Sequence, residues 1–530
     1  MSRVPDILAE GRGRRIALVA LTGVAQAGAM GLAAFATRDL FASLRDGASA
    51  SIEALAMLGA GGVLVALARV LERAAAEGLG HSYAISLRRA LYRHLARMSQ
   101  SDVAERRAGA LGLRFVGDLS AARNWIGLGL TRILSSIFVI PGAAFALWLL
   151  NPILAKAALV PIGASLLVMA ALSVALEAIH RRLRSRRAGV ATSMMERAVV
   201  APELDVMSRT GKEIRRLDKH GNDLRDRSQV RRLMTSAIRS VPEIGAALAG
   251  VTLLWMAART GAPASDAAGM LAVIAILSLP LGELGGVWDR RCAWRIARQK
   301  CELVFAKPRR ARRKVSRCGP VPVSLSGVRM RGMTFDLAVE AGEVAVIEGD
   351  AGAGKSTLLS LVAGLETPDA GTIGFGGEDV WPLIAYVGPY SPILQGSLRR
   401  ALTLGLSPRP DDETVRAAAS RFGLDPVIDR LGGLGGRIGE DGRTLSDGER
   451  LRVKIVRAAL AEADLLIIDA PGLAADETLA RAVAEMVRRS PATVLMATAP
   501  GAFDEAADRQ FILREGETQE LGKLSIAAVS

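Results

Sequence analysis

The sequence predicts a multi-domain chain: an all-α bundle of six membrane-crossing helices, followed by an α/β domain with a phosphate-binding loop. Three observations predict it. The first roughly three hundred residues hold six long apolar runs. From about Val323 short β-rich runs alternate with helical stretches, the texture of a parallel α/β sheet. The segment Gly349-Asp350-Ala351-Gly352-Ala353-Gly354-Lys355-Ser356-Thr357 fits G-x-x-x-x-G-K-[ST].

Composition supports the division. Half of the 530 residues are apolar, yet the formal net charge is +15, with mean hydropathy +0.28 and pI about 10.4. Apolar and basic residues must therefore be segregated, and they are: Arg-rich segments separate the apolar runs. A basic excess suits nucleic acid or the anionic inner face of a membrane. At 4% aromatics there is little material for stacking on bases, so a lipid bilayer is the expected partner and nucleic acid is not. Cys292, Cys301 and Cys318 show no metal-ligand spacing and read as reduced thiols.

The six spans fall at about Ile16–Ala36, Ile52–Leu71, Ile126–Leu150, Ile153–Leu176, Ile238–Ala258 and Ala267–Val287. The second is expected to continue as a helix through Tyr92. The first follows Arg12, Arg14 and Arg15, is too long for a cleavable leader, and reads as a retained span. Asn151-Pro152 forms the turn between the third and fourth. Ala and Gly dilute several spans, but small residues permit close helix contact. The stretch from Glu177 to Ala237 carries fifteen Lys and Arg, among them Arg181, Arg182, Arg184, Arg186 and Arg187. The stretch from Arg88 to Arg114 is also basic, whereas the connections near Asp39–Ser51, Asn151-Pro152 and Thr260–Asp266 are short and poor in positive charge. Positive charge stays inside, so both termini and the phosphate-loop domain are expected in the cytoplasm, with the chain multi-pass in the inner (plasma) membrane. Apolar residues Leu204, Met207, Ile214 and Leu217 suggest that helices run on into the cytosol. The resulting division is a membrane domain over 1–306, a basic linker over 307–322, and the α/β domain over 323–530. Glu243, Glu283 and Asp289 fall near cytosolic helix ends, where charge is cheap; Gln26 and Thr22 suit helix–helix hydrogen bonds.

The phosphate loop follows the apolar strand Val344–Ile347 and opens the apolar helix Leu358–Leu365. Glycines let backbone N–H groups curl round phosphates, and the helix start adds partial positive charge. Lys355 is expected to reach the β- and γ-phosphates of ATP, and the Ser356 hydroxyl to ligate Mg²⁺. About ninety residues on comes Leu445-Ser446-Asp447-Gly448-Glu449-Arg450, then the strand Leu465–Ile468 ending in Asp469. An Asp ending a buried strand suits a Mg²⁺ contact.

In this order and spacing the motifs resemble those of ABC transporters, and the six-span, long-loop plan resembles the exporter type of half transporter. The resemblance makes Leu445–Glu449 the signature that faces the partner's ATP, Leu465–Asp469 the Walker B strand, and Asp476 the D-loop Asp. It also exposes departures. The family's catalytic Glu after Walker B is Ala470 here, its switch His falls at Ala499, and its Q-loop Gln aligns with Pro389. Gln395 is a poor substitute beside Gly396-Ser397. No aromatic for the adenine appears in Val328–Arg331. Glu449, Glu440 and Asp441 belong to the signature region and are poor candidates for a replacement base. Phosphoryl transfer depends on positioning and charge, so no catalytic residue in cis is expected and an ATPase activity of this chain alone is in doubt. The resemblance implies a second half transporter as partner, a heterodimer being favoured over a homodimer, because degenerate subunits of this family often lend an intact signature to a competent one. A non-transporting sensor or a slow homodimeric transporter are the alternatives. The transported substrate is not legible.

Overall fold

The computed structural model describes residues 4–47, 49–104, 117–311, 314–377, 381–499, 501, 503–514 and 517–523. The side chains of Arg181, Arg182 and Arg184, the basic stretch 105–116, Arg312-Arg313 and Pro500 lie outside the description. The described residues form two units: one of residues up to Ala96 and from 117 to Lys307, the other of Arg97–Ala104 and Pro308 onward.

The first unit is helical. Helices α1 (Arg12–Arg45), α2 (Ile52–Leu95), α4 (Leu119–Asn124) with a π-turn Trp125–Leu130 and α5 (Thr131–Leu150), α6 (Pro152–Val199), α8 (Thr210–Thr260) and α9 (Ala264–Leu284) include six stretches long and apolar enough to cross a membrane. Short helix α7 (Ala201–Val206) and helix α10 (Val287–Phe305) complete the set, and short helix α3 (Gln100–Ala104) belongs to the second unit. The spans are apolar all round, as lipid-facing helices must be. Ala29, Met30, Ala34, Val139, Ala143 and Leu147 form the inner seam, while Leu21, Val63, Phe145 and Leu167 point outward. The small seam residues let the helices approach closely. Asn151 caps α6 by accepting the N–H groups of Ile153 and Leu154. At 1.5 Å per residue, α6 and α8, of 48 and 51 residues, are about 72 and 77 Å long, far more than the ~30 Å of a hydrocarbon core. The last span ends at Leu284, three residues short of the sequence expectation, because Gly285 and Gly286 break the helix before α10 begins.

The second unit is a nine-stranded mixed sheet of order β4-β1-β2-β11-β10-β3-β9-β8-β5. Strands β3 (Val344–Gly349), β9 (Thr493–Ala497), β8 (Leu465–Asp469) and β5 (Ile384–Val387) are parallel neighbours. Their side chains alternate between two cores. Val344, Val346, Leu466, Ile468, Val494 and Met496 face one, and Ala345, Ile347, Leu465, Ile467 and Leu495 face the other. Burial on both faces explains why these strands read as unbroken apolar runs. The remaining strands β1 (Val323–Met330), β2 (Met333–Val339), β4 (Ala370–Gly374), β10 (Arg509–Arg514) and β11 (Glu517–Lys523) extend one edge. Residues 97–104 belong to this unit: Gln100 N–H donates to Leu365, and the Ser101 N–H and hydroxyl both donate to Glu366.

Candidate nucleotide site

The parallel strands deliver four chain turns to one edge of the sheet, where α/β folds bind ligands. Strand β3 leaves its cores at Gly349, whose φ is 145°; a Cβ there would run into the carbonyl of Leu513 on β10. The loop ends at Gly354, φ 105°, which starts helix α11 (Lys355–Val362). These are left-handed backbone positions that disfavour any other residue. Lys355 Nζ donates to the carbonyls of Gly349 and Asp350, at 2.5 and 2.9 Å. Its charge is held by neutral oxygens and aimed into the loop, ready for an anion.

Ser356 Oγ donates to Asp469 Oδ1 at 3.0 Å. Asp469 Oδ2 is buried with no hydrogen-bond partner. Burial pushes this carboxyl above the ordinary range, against the pull of Ser356 and Lys355. A buried carboxylate oxygen without a donor is costly, and a hard divalent cation is what it lacks; hydroxyl and carboxylate oxygens fit Mg²⁺.

The neighbouring positions carry no such chemistry. Ala470 is buried and shares with Pro389, Arg450, Lys454 and Asp469 the wall of a cavity of about 180 Å³. Its methyl group can neither accept nor donate a proton. The other wall carboxylate, Asp447, is exposed and paired with Arg450. At the end of β9, Thr498 donates to the Ala499 carbonyl at 3.2 Å. Gly501 N–H donates to Glu348. Pro389 offers no side-chain donor; its turn is held by Ser391, which donates to the Tyr386 carbonyl and accepts from Gly388 N–H. Gln395 precedes the short strand Gly396–Ser397, paired with Arg437–Ile438. Arg331, where β1 turns into β2, has φ 53° and donates its N–H to Asp369; Val328–Arg331 supplies no ring.

Helix α12 (Asp447–Ala459) starts at the signature-like segment. Leu445 is buried beneath it. Ser446 caps the helix, accepting Glu449 N–H at 3.2 Å, while Glu449 Oε2 accepts Ser446 N–H at 2.8 Å, a reciprocal capping box. Glu449 also forks with Arg430 at 2.8 and 2.9 Å, which holds its carboxyl below the usual range. Thus engaged, it is no free base. The Ser446 hydroxyl proton and the Cβ-free Gly448, around which a Cβ would meet nothing, remain available to a ligand. Asp476 caps helix α13 (Glu477–Arg489) through Leu479 N–H, accepts from Thr478 and pairs with Arg452. Sequence reasoning missed where the cations of α12 bond: Lys454 Nζ donates to the Gly388 carbonyl at 2.9 Å and Arg457 to that of Pro392 at 2.7 Å. Arg450, Lys454 and Arg457 recur at i, i+4 and i+7, a signal that one helix face is cationic. Burial depresses the Lys454 amine below its ordinary value, aided by Arg457 and Arg450.

The family model described as ABC transporter matches residues 333–472, from β2 through Walker B. The thiamine import ATP-binding protein ThiQ of Chelativorans sp. is 36% identical over 178 residues, which cover 31% of this chain and 70% of that protein. The chain belongs to the ABC transporter family. Two further ABC relatives carry a permease part on the same chain. The β-(1→2)glucan export ATP-binding/permease protein NdvA of Agrobacterium fabrum is 34% identical over 194 residues, 34% of this chain and 33% of that one. The mycobactin import ATP-binding/permease protein IrtB of Mycolicibacterium thermoresistibile is 32% identical over 235 residues, 40% of each chain. The chain thus spans about a third of the length of the first of these relatives. It joins an ABC ATP-binding domain, and hence a nucleotide site, to six apolar helices, the make-up of an exporter-type half transporter. That make-up implies a multi-pass membrane protein.

Proposed function

We propose that the chain is the nucleotide-holding half of a heterodimeric ABC exporter, with both termini and the ATP-binding domain in the cytoplasm. It retains Mg-ATP on its own phosphate loop with little turnover, and it completes a competent partner's site with Ser446 and Gly448. One observation carries the reading: Asp469 and Ser356 stand ready for a cation, while buried Ala470 beside them has no carboxylate to orient water. Gly349–Thr357 would hold the phosphates, Lys355 by charge; Ser356 and Asp469 would hold Mg²⁺, which when bound neutralises phosphate charge. Removing a positioned general base costs about 10²–10⁴-fold in rate, and Ala499 and Pro389 add further losses. The orientation rests on positive charge, with Arg186, Arg187, Arg197, Arg215 and Arg216 all between the fourth and fifth spans.

The reading is tested by purifying the full chain with candidate ABC halves that retain Glu after Walker B and His after the next strand. In the assembled pair, Ser446→Ala in this chain should cut hydrolysis at least tenfold, whereas Lys355→Ala should cut it far less. Equal losses from the two changes would mean that each chain hydrolyses its own nucleotide, and would favour a homodimer-like mechanism.

A further inference from the structure

A cavity of about 330 Å³ opens within the helical unit between α2, the π-turn with the start of α5, and the junction of α9 and α10. That volume is in the range of small-ligand sites. Its wall carries five arginines, Arg69, Arg73, Arg123, Arg132 and Arg290, against three glutamates, Glu72, Glu77 and Glu283.

The glutamates do not balance the arginines. Arg132 bonds Glu72 at 3.0 Å and also pairs with Glu283. Arg73 reaches Glu283 at 3.5 Å. The second oxygen of Glu72 accepts from Gln26 at 2.7 Å, and Glu77 faces His81 at 3.8 Å. Among the described residues, Arg69, Arg123 and Arg290 have no carboxylate within ion-pair distance. Arg290 rests on the Leu128 carbonyl at 2.9 Å. Arg69 makes one long bond, 3.3 Å, to the Ile276 carbonyl, and its Nε is buried without any partner. Arg69 is half-buried with an unsatisfied Nε, and the cavity wall carries more guanidinium donors than its carboxylates occupy, which leaves donors for a ligand.

Depth is set by the helices. Glu72 lies twenty residues from the start of α2, Arg132 eighteen from the end of α5, and Glu283 nineteen from the start of α9. At 1.5 Å per residue each is about 27–30 Å from the same ends of the spans, one hydrocarbon thickness away. Under the proposed orientation, on which this inference rests, that level is the inner-leaflet interface.

We infer that this cavity binds an oxyanion group, a phosphate or carboxylate, of the compound the transporter moves. Forked guanidinium donors match such groups in geometry as well as charge. A cavity at headgroup depth receives an anionic head whose apolar remainder stays among the lipid tails, or a soluble anion entering from the cytosol.

The full chain is placed in phosphatidylcholine nanodiscs with saturating Mg-ATP, which keeps the phosphate loop filled. Decyl phosphate, pyrophosphate and the neutral decyl maltoside are titrated by calorimetry against wild type and Arg69→Gln/Arg123→Gln. Neither arginine holds an ion pair, so the variant keeps the Glu72–Arg132–Glu283 network; Mg-ATP retention and thermal unfolding confirm its fold. Saturable binding of an anionic probe, weakened at least tenfold in the variant, is the expected result. Decyl phosphate binding without pyrophosphate assigns the site to amphiphiles; binding of both admits soluble anions. Equal affinity for decyl maltoside, unchanged affinity in the variant, or no binding by a chain that still retains Mg-ATP would overturn this inference and leave the transporter reading standing. Loss of Mg-ATP retention in wild type would strike that reading instead.

Discussion

Asp469 ends β8 with one oxygen on Ser356 and the other buried without a partner. Replacing it with Asn keeps the shape but removes the charge, so Mg²⁺-dependent retention of ATP is expected to weaken by about 10–100-fold, as for lost metal-site partners, read by filter binding with and without EDTA. Glu449 is a structural acid in a site that invites a catalytic reading. Its carboxyl is held low by Arg430 and by Ser446 N–H. A carboxyl with a depressed folded-state value contributes stability above the unfolded value, and that contribution is lost as pH falls through the folded value. Glu449→Gln should therefore lower the unfolding temperature near neutral pH and flatten its fall under acid. Loss of the capping interaction costs about 1 kcal/mol, some 2–4 °C for a domain of this size. The loop and strand residues of the nucleotide site were legible in the sequence because each motif is contiguous. The Glu449–Arg430 fork and the Lys454–Gly388 contact were not, since they join residues 19 and 66 positions apart.

Helices α2 and α4–α5 meet at backbone distance. A Cβ on Gly127 would press on the Ala76 carbonyl at 2.8 Å, and one on Gly80 would press on that of Arg123 at 2.6 Å. Ala76 and Gly80 on α2, facing Gly127, make this approach possible, and Gly127 lies in the π-turn Trp125–Leu130. Gly127→Val should wedge the helices apart and cost about 1–3 kcal/mol, seen as earlier thermal unfolding in detergent; an unchanged transition would mean that the contact is loose. The existence of the six spans was legible because unbroken apolar length is a local property. Their continuation was legible too, as α6 and α8 run on past their apolar stretches through Arg-rich, strongly helix-forming sequence; where each one ends was not. The arginine-lined cavity was hidden altogether. Glu283 reads from sequence as a solvated helix end, yet it pairs with Arg132, 151 positions away. Gln26 does make the helix–helix hydrogen bond its type suggested, to Glu72.

At the scale of the molecule, an ABC ATP-binding domain and a six-helix bundle share one chain, and the bundle's inward-facing small residues contrast with its apolar exterior. A machine of this kind converts nucleotide binding into movement only if some site hydrolyses, and the methyl group of buried Ala470 cannot orient water here. The proposal therefore places turnover in a partner and stable occupancy here. The strand order of the nucleotide domain could not be read from sequence, because neighbours such as β3 and β9 are about 150 residues apart; the alternation of strands and helices could, because each strand is buried on both faces. The most direct measurement is on the purified full chain alone in nanodiscs, recording bound Mg-ATP and phosphate release from the same sample. The account predicts near-stoichiometric retention of Mg-ATP, abolished by Lys355→Ala, with release no faster than that of the Lys355→Ala variant. Rapid hydrolysis by the lone chain, removed by that substitution, would contradict it.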